Sequence, residues 1–315
     1  MFTNVIVPLD GSRDAAAAIP VAQTLAALGG GRLSLLRVVH RPAGLFASHV
    51  NQVRDGSAYL DRVTRDQFGG LNLPVSTHVR SGDVVDSILA EVGGSGSSAI
   101  VMATRGRGGV VRAVLGSVAS ELLGRSPVPV VVVRAEARPV DGLHHILVPI
   151  DGSPESEQSL TSAADLAAIA GATVTLLRVV TPTRIPTRAS ERAVALELGE
   201  YVDPGAMDRV ALAEARQYVN TLARRLGRRG IAADALAMLG EVPSTITETA
   251  DALGTDLIVM RTRGHTGAAR AVLGSAADAV VRSSGVPVML LRTAEVRERE
   301  AAAAQSRALV GVPAW

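Results

Sequence analysis

The chain has 315 residues, 47% of them apolar and 20% charged, with a formal net charge of +2. That is enough to bury sizeable cores and too apolar for disorder, and on length it suggests two domains. With no cysteine, with arginine supplying every basic side chain except histidine, and with aromatics at only 2%, three groups of functions drop out. They are thiol and lysine chemistry, a Walker A lysine, and the stacking platforms and basic footprint that nucleic-acid binding requires.

In chain order, Asn4 to Leu9 reads as a short apolar strand, and no secretory leader is expected before it. An alanine-rich helix follows over Arg13 to Leu28, closed by Gly29-Gly30-Gly31. Next come a strand over Arg32 to Val39, a polar helix over Asn51 to Phe68 and a strand over Val75 to Val79. A helix over Asp83 to Val92, a strand over Ala99 to Ala103, a helix over Ser117 to Gly124 and a strand over Val130 to Val133 complete the half. Strands this continuously apolar, alternating with helices, predict a parallel sheet buried on both faces.

The chain then repeats itself. Val7-Pro8-Leu9-Asp10-Gly11-Ser12 returns as Val148-Pro149-Ile150-Asp151-Gly152-Ser153, and Leu35-Leu36-Arg37-Val38-Val39 as Leu176-Leu177-Arg178-Val179-Val180. Val101-Met102-Ala103-Thr104-Arg105-Gly106 returns as Val259-Met260-Arg261-Thr262-Arg263-Gly264, and Ala113-Val114-Leu115-Gly116-Ser117 as Ala271-Val272-Leu273-Gly274-Ser275. Five ordered blocks, counting Val128-Pro129-Val130 and Val286-Pro287-Val288, mean two copies of one α/β unit. The boundaries expected are 1–137 and 142–293, with a charged, proline-containing link between them. The second copy carries an insertion over 181–205, read as a lid, a plug or a surface loop. Residues 294–315 are expected to form a C-terminal helix and tail.

Each unit is expected to be a Rossmann-like, doubly wound domain with strand order 3-2-1-4-5. Its last strand, Val130 to Val133 or Val288 to Leu291, is an edge without a single charge. Edges are normally blunted by charge. The two sheets are therefore expected to join through these strands as a pseudo-dimer, the alternative being separate cover by helices or loops. No apolar run approaches the roughly 20 residues of a membrane span. A cytoplasmic protein without membrane or nucleic-acid partners is expected, with dimerisation of the whole chain left open.

Ligands of such sheets bind beyond the carboxyl ends of the strands, where the strand order reverses. There Asp10-Gly11-Ser12 offers a carboxylate to ribose hydroxyls; as a bland alternative, Asp10 merely caps its helix. After the fourth strand, Gly106, Gly108 and Gly109 let main-chain amides approach an anion closely. Gly116-Ser117 opens a helix whose free amides favour phosphate, aided by Arg105, Arg107 and Arg112.

These motifs resemble the universal stress proteins in their tandem two-domain form. Nucleotide-binding members of that family carry Gly-x2-Gly-x9-Gly-Ser/Thr after the fourth strand. Gly106 and Gly116-Ser117 stand at that spacing here, and so do Gly264 and Gly274-Ser275. The resemblance implies that ATP, alone or with Mg2+, is bound by each half. Asp10 and Asp151 would hold ribose, and main chain at Val38 and Val179 would meet adenine. Gly106, Gly116, Ser117, Gly264, Gly274 and Ser275 would hold phosphate. Pro8, Met102, Arg107 and Val118, with Pro149, Met260, His265 and Ala276, would line the same clefts. The family's first glycine is replaced by Ala103 in the first copy and by Arg261 in the second, so the first cleft is the better match.

The function implied is that of an ATP-binding regulatory protein of the stress response acting on an unknown protein partner. A nucleotide-free adaptor and a slow ATPase are the alternatives. Catalysis is not expected: the signatures of enzymes that attack the ATP α-phosphate are absent near Asp10. The six histidines show no metal-ligand spacing, and His265 is matched by Arg107 in the first copy.

Overall fold

In the computed structural model the residues described are 2–39, 46–95, 98–104, 115–138, 140–183, 204–262 and 273–292. The first half runs β1 (Asn4–Pro8), α1 (Arg13–Ala16), α2 (Ala18–Leu28), β2 (Arg32–Val39), α3 (Phe46–Phe68) and β3 (Val75–Ser81). It continues through α4 (Val84–Ser95), β4 (Ser98–Thr104), α5 (Ser117–Arg125) and β5 (Val130–Arg134). The second half runs β6 (His145–Pro149), α6 (Pro154–Ala170), β7 (Thr173–Val180), α7 (Pro204–Gly227) and β8 (Ala233–Leu239). It ends with α8 (Val242–Ala252), β9 (Leu257–Arg261), α9 (Ser275–Ser283) and β10 (Val288–Leu291). Most of the 181–205 insertion, the 294–315 segment and the glycine loops after β4 and β9 lie outside the described residues.

All ten strands form one sheet in the order β3-β2-β1-β4-β5-β10-β9-β6-β7-β8. Within each half the pairs are parallel, and β1 and β4 flank the reversal of strand order. The halves meet where β5 pairs antiparallel with β10, Val132 opposite Val288, Val131 opposite Met289 and Val130 opposite Leu290. These six side chains are at most 2% exposed. Burying each is worth roughly 1.5–3 kcal/mol. The uncharged edges are thus covered by each other, as the sequence predicts. Because that one pair is antiparallel, the carboxyl ends of the two parallel sets point in opposite directions.

Alternating strand residues feed two cores, each continuous across the seam. Val5, Val7, Leu33 and Leu35 pack under α2 and α3 on the face where Ala163 and Val219 serve the second half. Ile6, Leu36 and Ile100 pack under α4 and α5 with Leu147, Ile246 and Val280.

One expectation needs correction. The single helix over Arg13 to Leu28 is two, with Ala17 between them. Pro20 is the reason: it has no N–H for the Ala16 carbonyl and its ring crowds that oxygen. The chain turns instead, Ala17 N–H donating to Asp14 O at 3.1 Å.

Candidate functional site

The main-chain ladder brings the predicted residues to the ends of neighbouring strands. Pro8 pairs with Leu36 at the end of β1, and Leu9 N–H donates to Leu36 O at 2.8 Å, setting Val38 just beyond. The register Ile6 to Ile100, carried two residues further, puts Pro8 beside Met102. The second half repeats this: Ile150 N–H donates to Leu177 O at 2.8 Å, and the register Leu147 to Ile258 carries Pro149 to Met260. Met102 and Met260 are buried; Ala103, Val38 and Val179 are half-buried above the sheet ends.

After each first strand comes a left-handed turn. Gly11 and Gly152 both have φ of +84°, a conformation in which a side chain is strained. Asp10 does not cap the helix. Ser12 does, its Oγ accepting from Ala15 N–H at 3.1 Å, while Asp10 Oδ1 accepts from Ser12 N–H at 2.9 Å. In the second half Ser153 is the cap and Asp151 Oδ1 accepts from Ser153 N–H at 3.0 Å. Both aspartates stay exposed at the strand ends.

Across each cleft a second helix opens differently. The residue at the N-cap of α5 is Gly116, not Ser117, with φ −61° and ψ 158°. Gly274 caps α9 in nearly the same conformation. A glycine cap brings no side-chain acceptor to the first-turn amides, whereas α1 and α6 both receive one from serine. A Cβ built on Gly116 would meet none of the described residues within 4 Å. Neither the backbone conformation nor packing against the described residues calls for glycine there. Ser117 and Ser275 are exposed at the first helical position, with Val118 and Ala276 half-buried behind them. Gly106, Arg107, Gly264 and His265 lie outside the described residues.

Arg261 sits where the first half has Ala103, at the end of β9 opposite Leu291. Its Nε and Nη1 are shielded from solvent.

Sequence reasoning missed a second layer beneath the turns. Arg37 donates from Nη1 to Leu9 O at 3.2 Å, and Arg178 from Nη1 to Ile150 O at 3.4 Å. The Arg37 guanidinium also lies 5.9 Å from the centre of the Tyr59 ring. Burial pushes the Tyr59 phenol up, against the pull of the Arg37 charge. In the second half Tyr218 Oη donates to Glu157 Oε1 at 2.7 Å. Burial, followed by that bond, pushes its phenol well above the usual tyrosine range. The signal was an arginine at one place in the Leu-Leu-Arg-Val-Val that β2 and β7 share.

Among the described residues no helix is long and apolar enough to cross a membrane, and no group of three or more acidic or histidine side chains could hold a metal. The Universal stress protein family model matches residues 1–134 and again 142–292. A universal stress protein of Mycolicibacterium smegmatis is 27% identical over 310 residues, covering 92% of this chain and 97% of its own. Universal stress protein Rv2005c of Mycobacterium tuberculosis is 27% identical over 203 residues, 61% of each chain. Among solved structures, a universal stress protein from Archaeoglobus fulgidus superposes with a TM-score of 0.66 at 17% identity, covering 92% of this chain and 98% of that one. A functionally unknown protein from Pseudomonas aeruginosa gives 0.63 at 19% identity, covering 95% of both.

Proposed function

The chain belongs to the universal stress protein family as two tandem copies of its domain, and from that premise we propose that it is an ATP-binding regulatory protein. Its nucleotide occupancy is read by a protein partner, and no side chain is assigned a catalytic role. ATP, with Mg2+, lies across the end of the sheet in each half. Its ribose hydroxyls meet Asp10 or Asp151, and its phosphates meet the opening turn of α5 or α9.

One observation carries this reading. In both halves the helix across the cleft from the aspartate turn opens on a glycine, Gly116 or Gly274, so that no N-cap side chain occupies its amides. Free amides at the positive end of a helix dipole suit phosphate. The spacing from Gly106 to Gly116-Ser117, repeated from Gly264 to Gly274-Ser275, supports it.

The test uses Gly116→Asp and Gly274→Asp. Aspartate is a better N-cap than glycine by a few tenths of a kcal/mol. At Gly116 its side chain would meet none of the described residues within 4 Å of Cβ. Gly116→Asp should therefore melt no lower than the parent, and in both variants the carboxylate takes the amides and repels phosphate. Calorimetric titration with ATP and Mg2+ should show two sites in the parent, one in each single variant and none in the double. ATP binding unchanged in the double variant, or absent from the parent, sinks the proposal. Absence would favour the nucleotide-free adaptor, and steady release of ADP the slow ATPase.

A further inference from the structure

Arg37 and Arg178 interrupt the shared apolar run Leu-Leu-Arg-Val-Val at equivalent places, and nothing in the nucleotide reading uses them. Both are half-buried and do the same thing. Each donates to the carbonyl of the residue just before the aspartate, Leu9 or Ile150. Each also lies across the glycine just after it. A Cβ on Gly11 would be 3.3, 3.6 and 3.6 Å from Arg37 Nη1, Cζ and Nη2, and one on Gly152 would be 3.2, 3.5 and 3.5 Å from the same atoms of Arg178. Near-equal distances to three atoms mean that the flat guanidinium is laid along the turn. In the first half it is clamped from behind, its stem against Gly56 and its head beside the Tyr59 ring, both on α3.

From this duplicated arrangement we infer that Arg37 and Arg178 are positioning residues, each fixing the turn that presents Asp10 or Asp151 to the ribose hydroxyls. The inference rests on the nucleotide reading and adds to it the group that orients the carboxylate. An aspartate on a free turn would sample many orientations, and binding would have to bear the cost of freezing one. Here the carbonyl before it and the glycine after it are held by one planar cation. Lysine could reach the carbonyl but offers a point charge and no plane to lie along the glycine.

The experiment compares ATP with 2′,3′-dideoxy-ATP in the full-length chain, with the second half silenced by Gly274→Asp. An arginine acting through Asp10 on the ribose matters only when the hydroxyls are present. Arg37→Met should weaken ATP by about tenfold, the scale of one hydrogen bond to a charged group, and leave dideoxy-ATP affinity unchanged. Arg37→Lys should behave like methionine. Melting without nucleotide identifies a variant that does not fold, and Arg178→Met in the Gly116→Asp background then asks the same question of the second half. Equal losses for both nucleotides, no loss for either, or rescue by lysine overturn the inference while leaving ATP binding intact. A parent that binds neither nucleotide overturns the nucleotide reading itself and this inference with it.

Discussion

Arg292 at the end of β10 donates from Nη1 to the carbonyl of Ser126, which ends α5 in the other half, at 3.4 Å and shut away from solvent. Ser126 is locked in turn, its Oγ donating to Val128 O at 2.7 Å. The residue at the matching place in the first half, Arg134, lies partly in solvent and pairs with Glu136 at 3.3 Å. The pseudo-two-fold is therefore broken at its seam. Hydrogen bonds to a charge contribute about 1.5–3 kcal/mol when protected, and exposed ion pairs about 0–1. Arg292→Met should lower the urea unfolding free energy by about 2 kcal/mol and Arg134→Met by under about 1. Equal costs would show that the crossing arginine contributes nothing special.

The two glycines of the aspartate turns face a double constraint that Gly30, also left-handed, lacks. Gly11 has φ +84° and a guanidinium nitrogen 3.3 Å from where Cβ would be, whereas Gly30 has φ +59° with nothing within 4 Å. Gly30→Ala should cost only the backbone term, about 1 kcal/mol. Gly11→Ala must also displace Arg37 and should cost about 2–3 kcal/mol. Denaturant midpoints for the pair, and for Gly152→Ala beside Gly11→Ala, give the ordering directly.

Tyr59 and Tyr218 occupy matching helices but differ in their partners. Glu157, which accepts from Tyr218 Oη and pairs with Arg225 at 3.8 Å, is replaced by Ala16 in the first half. Tyr218→Phe should thus cost about 1 kcal/mol, the net value of an ordinary hydrogen bond. Tyr59→Phe keeps the ring beside Arg37 and should be close to neutral. A cost for Tyr59→Phe as large as that for Tyr218→Phe would contradict the asymmetry.

The strand order and seam were legible because they follow from patterns that need no tertiary knowledge. An uncharged Val130 to Val133 can sit at neither a free edge nor a solvated face. The break at Ala17 was also written in the chain, at Pro20, but the alanines around it have high helix propensity and hid it. The aspartate turns were legible as motifs. The roles of Arg37 and Glu157 were not, since they depend on which helix packs behind β2 or α6, and periodicity does not specify that. Serine favours the N-cap position, which Ser117 could fill by sequence alone. The backbone puts Gly116 there instead, one residue earlier, and no pattern distinguishes adjacent positions at a helix end.

His145, the first residue of β6, is held between two threonines, Nε2 2.7 Å from Thr175 Oγ1 and Nδ1 3.3 Å from Thr255 Oγ1. Its own N–H and that of His144 donate to Asp256 Oδ2 at 2.9 and 2.7 Å. Burial holds its pKa below the ordinary histidine value, and the charges of Asp256 and Asp234 only partly oppose this. The native state therefore binds fewer protons than the unfolded chain around pH 6.5. The stability that His145 contributes is complete above that pH and is lost as the pH falls below it toward the depressed native value. The first half has Asn4 at this place, its Oδ1 accepting from Ser34 Oγ at 2.9 Å, so His145→Asn installs a group that does not titrate in a position already suited to it. Urea midpoints measured from about pH 7.5 down to about pH 5 should fall more steeply in the parent than in His145→Asn. The other five histidines are common to both proteins, so any difference in slope belongs to His145. Parallel curves would mean that it titrates in the folded protein as it does in the unfolded chain.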